Sequence, residues 1–132
     1  MAIEYKLFGI SDNMNEDENK KRGFFPKIVR KKTVGIDDLA RSIGGDSKMR
    51  ELEAKKIMEQ MLYQIEQELL DGNHVNLEGF GSFMLTAQAK KPISSTEGVR
   101  AENIEVKRLA FKNSETLERR LKRARFVRST EK

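Results

Sequence analysis

The 132-residue chain has no cysteine and no tryptophan, and only one histidine and two prolines. Without cysteine there is no disulfide, no thiolate metal site and no cysteine nucleophile. His74 stands alone, and structural or catalytic zinc sites draw on several His, Cys or acidic ligands together. No metal is therefore expected. No apolar run approaches the roughly 18 residues of a membrane-spanning helix. Met1 to Lys6 lacks the layout of a signal peptide. A soluble cytoplasmic protein without a membrane partner is the plain expectation. No Ser-His-Asp set and no Gly-x-x-x-x-Gly-Lys phosphate loop is present. Glu51, Glu53, Glu59, Glu66 and Glu68 fall on the outer side of a long helical pattern, where solubility accounts for them. The chain reads as a non-enzyme with no cofactor and no small-molecule substrate.

What the sequence does have is charge. Charged residues make up 36% of the chain against 37% hydrophobic, and the net charge is +5. Residues 84–132 hold 13 Lys and Arg against 6 Asp and Glu, whereas residues 1–83 hold 13 against 15. A basic C-terminal half points to a polyanion, and nucleic acid is the first candidate.

Ile3, Tyr5 and Leu7 recur at the strand period, and a polar loop follows from Ser11 to Gly23. Phe24 to Val34 is β-rich, with Pro26 favouring an edge position, so the two segments can form a hairpin. Thr33 can cap a short helix over Ile36 to Ile43, with Asp37 and Asp38 in its first turn. Gly44-Gly45 ends it. Asp46 or Ser47 can cap a second helix running to about Asp71, which at 1.5 Å per residue is about 35 Å long. Its stripe of Met58, Met61, Leu62, Ile65 and Leu69 is wider than one small helix and thin hairpins need, which points to a second chain. Gly72 suits the residue just past the helix end.

His74 to Thr86 reads as a strand, bent where Gly79 and Gly81 flank Phe80, with Phe80 and Phe83 in the core. Ala87 to Asn103 reads as an extended arm. Ile104, Val106, Leu109 and Phe111 form a last strand with an irregularity near Arg108. Asn113 or Ser114 can cap a basic C-terminal helix striped by Leu117, Leu121 and Ala124.

The element Gly79-Phe80-Gly81-Ser82-Phe83, after a long helix ending in glycine, resembles the signature of the HU/IHF family of bacterial histone-like DNA-binding proteins. Phe111-Lys112 before a helix is a second matching point, with Asn113-Ser114 where the family has Pro-Gly. The order of elements from Thr33 to Arg128 is similar too. The N-terminal extension resembles a variant HU-like subgroup. The resemblance implies an α+β fold: an intertwined homodimer with a helical base, β-arms that embrace double-stranded DNA, and added N-terminal strands. It implies one HU-like domain over 1–132. Residues 1–32 are then the strand extension, 33–72 the helical dimerisation region, 73–112 the strands and arm, and 113–132 the basic helix and tail. Most members carry Arg-Asn-Pro-x-Thr-Gly at the arm tip. Here Pro92 stands in Lys91-Pro92-Ile93, so a smaller bend is expected.

The candidate DNA-binding residues are Lys90, Lys91, Pro92 and Arg100 in the arm, and Lys107, Arg108 and Lys112 along the last strand. Arg119, Arg120 and Arg123 on the C-terminal helix complete the set. Basic side chains at such positions bind phosphates without reading sequence. The function expected is organisation or bending of duplex DNA in the nucleoid with low sequence preference. The alternative is a protein-interaction module that keeps the fold with weak or lost DNA binding.

Overall fold

The computed structural model describes residues 1–9 and 23–130. The loop expected over Ser11 to Gly23 lies outside them, apart from Gly23 itself. The chain divides into two compact units, one formed by Met1–Thr33 with Arg120–Lys132 and the other by Val34–Arg119.

In the first unit, strands β1 (Ile3–Gly9) and β2 (Phe24–Ile28) form the expected antiparallel hairpin. Pro26 lies on β2, an edge strand of the sheet, as its missing donor requires. Strand β2 stops at Ile28 rather than continuing to Val34. The third strand was not expected. Phe126–Arg128, here β6, runs parallel to β1, pairing Ile3 with Phe126 and Tyr5 with Arg128. Ile3 N–H donates to Arg125 O at 2.8 Å and Ser129 N–H to Tyr5 O at 2.9 Å, so the pairing continues past both ends of β6.

The second unit opens with helices α1 (Ile36–Gly44) and α2 (Lys48–Leu70). Gly35, not Thr33, caps α1. Its extended backbone lets its N–H donate to Asp38 Oδ2 at 3.0 Å while its carbonyl accepts from Leu39 N–H. Ser47 Oγ accepts from Arg50 N–H at 3.3 Å and starts α2. The corner between the helices is tight: a Cβ on Gly44 would sit 2.6 Å from Glu51 N. Lys55 Nζ meets Asp37 Oδ1 at 2.8 Å across the corner. That hydrogen bond and charge lower the Asp37 carboxyl pKa and raise that of Lys55. The pair is exposed and adds little. What it adds is present above the ordinary carboxylate range and fades as pH falls through the lowered Asp37 value.

Strands β3 (Val75–Leu77), β4 (Gly81–Ala89) and β5 (Ile104–Asn113) form an antiparallel sheet in that order. The single bent strand expected over His74 to Thr86 is thus two strands. Between them Glu78-Gly79-Phe80 makes a tight turn, with Gly79 at φ 77° and Phe80 N–H donating to Leu77 O at 2.9 Å. Phe80, expected in the core, is 49% exposed in this chain. At the turn its ring packs on Phe111, with centroids 5.5 Å apart, while Phe83 closes on Phe111 at 4.9 Å. Gly81 is buried, and a Cβ there would lie 2.5 Å from both Lys112 O and the Phe111 ring. Gly81→Ala should therefore cost about 1–3 kcal/mol through forced displacement of β5, read as a lower urea midpoint. An unchanged midpoint would show that β5 yields freely.

The expected irregularity on β5 is a bulge. Thr86 pairs with Arg108 but Ala87 with Val106, leaving Lys107 as the extra residue. The bulge shifts the alternation so that Ile104, Val106, Leu109 and Phe111 all share one face with Phe83 and Leu85. Ser82, Met84, Thr86, Arg108 and Lys112 share the other.

Helix α3 (Glu115–Leu121) is shorter than the sequence pattern suggests. Ser114 Oγ accepts from Leu117 N–H at 3.1 Å, as a cap should. The helix does not continue to Arg128, because turns at Arg120–Ala124 lead the chain into β6 instead.

The apolar face of the β3–β5 sheet is poorly covered. Among the described residues only Ala40 and Leu69 are buried hydrophobics. An open groove of about 400 Å³ lies between α2 and the sheet, lined by Leu62, Ile65, Leu69, Phe83, Leu85 and Leu109.

Candidate nucleic-acid interface

The β4–β5 ribbon carries the arm. Lys90 N–H donates to Asn103 O at 2.7 Å and closes the ribbon where the regular pairing ends. Asn103 then clamps the next residue through its side chain: Oδ1 accepts from Lys91 N–H at 3.0 Å and Nδ2 donates to Lys91 O at 3.5 Å. Asn103 ends a 3₁₀ turn over Ala101–Asn103, so the two limbs of the arm are tied side to side. Asn103 was not among the residues singled out from sequence. Its only signal is a polar amide where the arm pattern gives way to the β5 pattern.

Beyond the clamp, Lys90, Lys91 and Pro92 leave on one limb and Arg100 returns on the other, all exposed. Ser95 Oγ accepts from Glu97 N–H at 3.1 Å, and Gly98 turns the chain at φ 80°. The arm is not uniformly basic, since Glu97 and Glu102 oppose its three cations.

Arg108 and Lys112 lie on the polar face of the ribbon, opposite Thr86 and Ser82. Thr86 Oγ1 bonds Arg108 O at 3.4 Å and Ser82 Oγ bonds Asn76 Oδ1 at 3.0 Å. Glu105, held by Gln88 Nε2 at 2.9 Å, is the acid of this face. Lys107 sits at the bulge, where its side chain breaks from the alternation. None of Lys90, Lys91, Arg100, Lys107, Arg108 and Lys112 forms an ion pair among the described residues. Their charges face solvent and are available to an anion.

Of the ten sequence-derived candidates, eight belong to the second unit: the four arm residues, the three of β5, and Arg119 on α3. Arg120 and Arg123 belong to the first unit, with the strands β1, β2 and β6. The second unit thus presents a polar ribbon with basic side chains along it and an arm at its end. That arrangement can contact phosphates. Among the described residues no group of His, Asp or Glu side chains is placed to hold a metal ion.

Comparison with known proteins places the fold. No curated protein matches the chain. A protein of Bacteroides vulgatus ATCC 8482, assigned provisionally to bacterial DNA binding, is similar in structure over 99% of this chain, with a TM-score of 0.62 at 16% identity. The match covers 50% of that protein, so the present chain spans half its length. Anabaena HU, in a cocrystal with DNA, is similar over 66% of this chain and 96% of its own, with a TM-score of 0.49 at 18% identity. The sequence itself matches one family over residues 1–128. By that match the chain belongs to the HU-HIG family, described as an HU domain fused to wHTH, Ig or a glycine-rich motif.

Proposed function

We propose that the chain acts as a homodimer that binds double-stranded DNA with low sequence preference and organises or bends it in the nucleoid. The observation that carries this reading is the clamped β4–β5 ribbon ending in Lys90, Lys91 and Arg100. It is a narrow two-stranded arm with exposed cations on both limbs, set on an HU-type fold. Cations along a ribbon hold phosphates by charge and counterion release and are indifferent to sequence. Recognition through such an arm follows the shape and deformability of the duplex. The arm lacks the Arg-Asn-Pro tip of most relatives, so the bend is modest.

The dimer rests on a different observation. A 132-residue chain that buries only Ala40 and Leu69 among its described hydrophobics lacks the core that would offset its ordering entropy. A second copy laid against α2 and the β3–β5 sheet supplies that core.

A gel-shift titration with unrelated duplexes tests the DNA reading. Affinities within about tenfold of one another, falling steeply with salt, are expected. Absence of binding even at low salt would defeat it. It would favour the second reading, a protein-interaction module, which the two acids in the arm support. A sharp preference for one sequence would defeat it differently, by revealing base readout.

A further inference from the structure

The hairpin register gives the three-stranded sheet two unlike faces. Lys6 lies directly opposite Lys27 and Phe8 directly opposite Phe25. Residues opposite each other in an antiparallel pair project to the same side, so these four side chains share one face. Ile3, Tyr5, Leu7, Pro26, Ile28 and Phe126 form the other, which is mostly apolar, with Arg128 opposite Tyr5 as its charged member. The apolar face is the one suited to packing. The lysine and phenylalanine face has another character.

Like charges directly opposite in a sheet are destabilising, yet Lys6 and Lys27 form no ion pair among the described residues. Lys27 Nζ instead lies 5.4 Å from the Phe8 ring centroid. Phe8 and Phe25 stack with centroids 6.0 Å apart and planes 29° from parallel, and stay 44% and 40% exposed. Two lysines with two stacked, solvent-facing rings make a platform for a ligand with both negative charge and flat aromatic groups.

The unit as a whole is basic, although Arg128 lies on the other face, opposite Tyr5, and Glu4, two residues before Lys6, lies on this one. From the N-terminal segment come Lys6, Lys27, Arg30, Lys31 and Lys32. From the C-terminal segment come Arg120, Lys122, Arg123, Arg125 and Arg128. Glu4 is the sole acid among the unit's described residues. The arm of the other unit has three cations against two acids, so the sheet unit is the more basic surface. Strand β6 is what gathers the two segments, which stand at opposite ends of the sequence.

We infer that the Lys6, Phe8, Phe25 and Lys27 face binds single-stranded nucleic acid, with phosphates on the lysines and unpaired bases stacked on the rings. A duplex keeps its base faces stacked inside and cannot use the rings. An unpaired strand offers both groups, and aromatic stacking with a basic track is how such strands are held without sequence preference. This site is separate from the arm and stands whether or not the arm binds duplex.

The chain contains no tryptophan, so Phe8→Trp in this 132-residue chain places its one tryptophan in the platform. Roughly 12-nucleotide oligo(dT) and oligo(rU), a length within the range of known single-strand sites, should quench it saturably. A duplex of equal length should not. Whichever oligonucleotide binds tighter identifies the sugar preferred. Phe8→Leu with Phe25→Leu should weaken oligonucleotide binding by about 10- to 100-fold, the worth of stacking on one or two rings, while duplex affinity stays within about twofold. Loss of duplex binding on removing charge at Lys90, Lys91 and Arg100 should leave the quenching intact. Absence of quenching, equal quenching by duplex, or unchanged oligonucleotide affinity in a folded double-leucine variant would each overturn the inference. If circular dichroism shows that variant unfolded, the tryptophan titration alone decides.

Discussion

Leu62→Asp is expected to abolish the folded dimer. In the isolated chain Leu62 is 47% exposed and lines the groove between α2 and the β3–β5 sheet. The two oligomeric states therefore give opposite outcomes. If the groove faces water, the substitution is a surface change worth within about ±0.5 kcal/mol. If a second chain fills the groove, it buries a carboxylate with no partner, a route to losses above about 4 kcal/mol. Ile65→Asp, one turn along α2, should behave the same way. Sedimentation at micromolar concentration, with circular dichroism on the same samples, checks this. A wild-type protein that sediments as a folded monomer would end the dimer reading, and so would a Leu62→Asp protein as stable as the parent.

The second large effect concerns salt. A dimer neutralising on the order of 5 phosphates should show a slope of log K against log salt of about −4 to −5. Replacing Lys90, Lys91 and Arg100 together by Ala removes the arm's cations and leaves Glu97 and Glu102 behind. Affinity for every duplex should fall alike, because binding to phosphates carries no sequence information. The slope should also become shallower, by about 1 for each phosphate that the bound protein no longer neutralises. Fluorescence anisotropy of a labelled duplex across a salt series reads both quantities. If the triple variant binds with the parent's slope, the duplex is held elsewhere on the molecule and not by the arm.

Much of the fold was legible because the signals were local. Ser47 is a capping residue before a long apolar stripe, and Gly72 at φ 87° takes the left-handed conformation that its position after the helix suggested. The parity change between Val106 and Leu109 announced the bulge before any register was known. The Gly-Phe-Gly-Ser-Phe element carried the family. What it could not show was whether the chain bends or reverses at Gly79, since a bulge and a tight turn both favour glycine. Phe80, placed in the core by its flanking glycines, stands at the turn and packs on Phe111 while about half exposed in the single chain.

The long-range features were beyond sequence reasoning for a different reason. Phe126-Val127-Arg128 is too short to show a period, and its partner strand stands at the opposite end of the chain. The register that sets Lys6 opposite Lys27 is not fixed by the local pattern of either strand. The arm cations were legible as charge. Asn103, which ties the arm's limbs together, was not, because a single amide carries no pattern.

The pairing of β1 with β6 also orders events during synthesis. At about 5–20 residues per second, the ribosome needs on the order of 6–25 s after making β1 to finish β6. Throughout that interval one side of β1 has no strand to pair with. The β4–β5 ribbon and the α1–α2 corner join residues much closer in sequence and close first, since short loops cost the least entropy. The N-terminal hairpin, though made first, completes its sheet last, and an open edge on β1 is the nascent chain's exposure to wrong pairing until then.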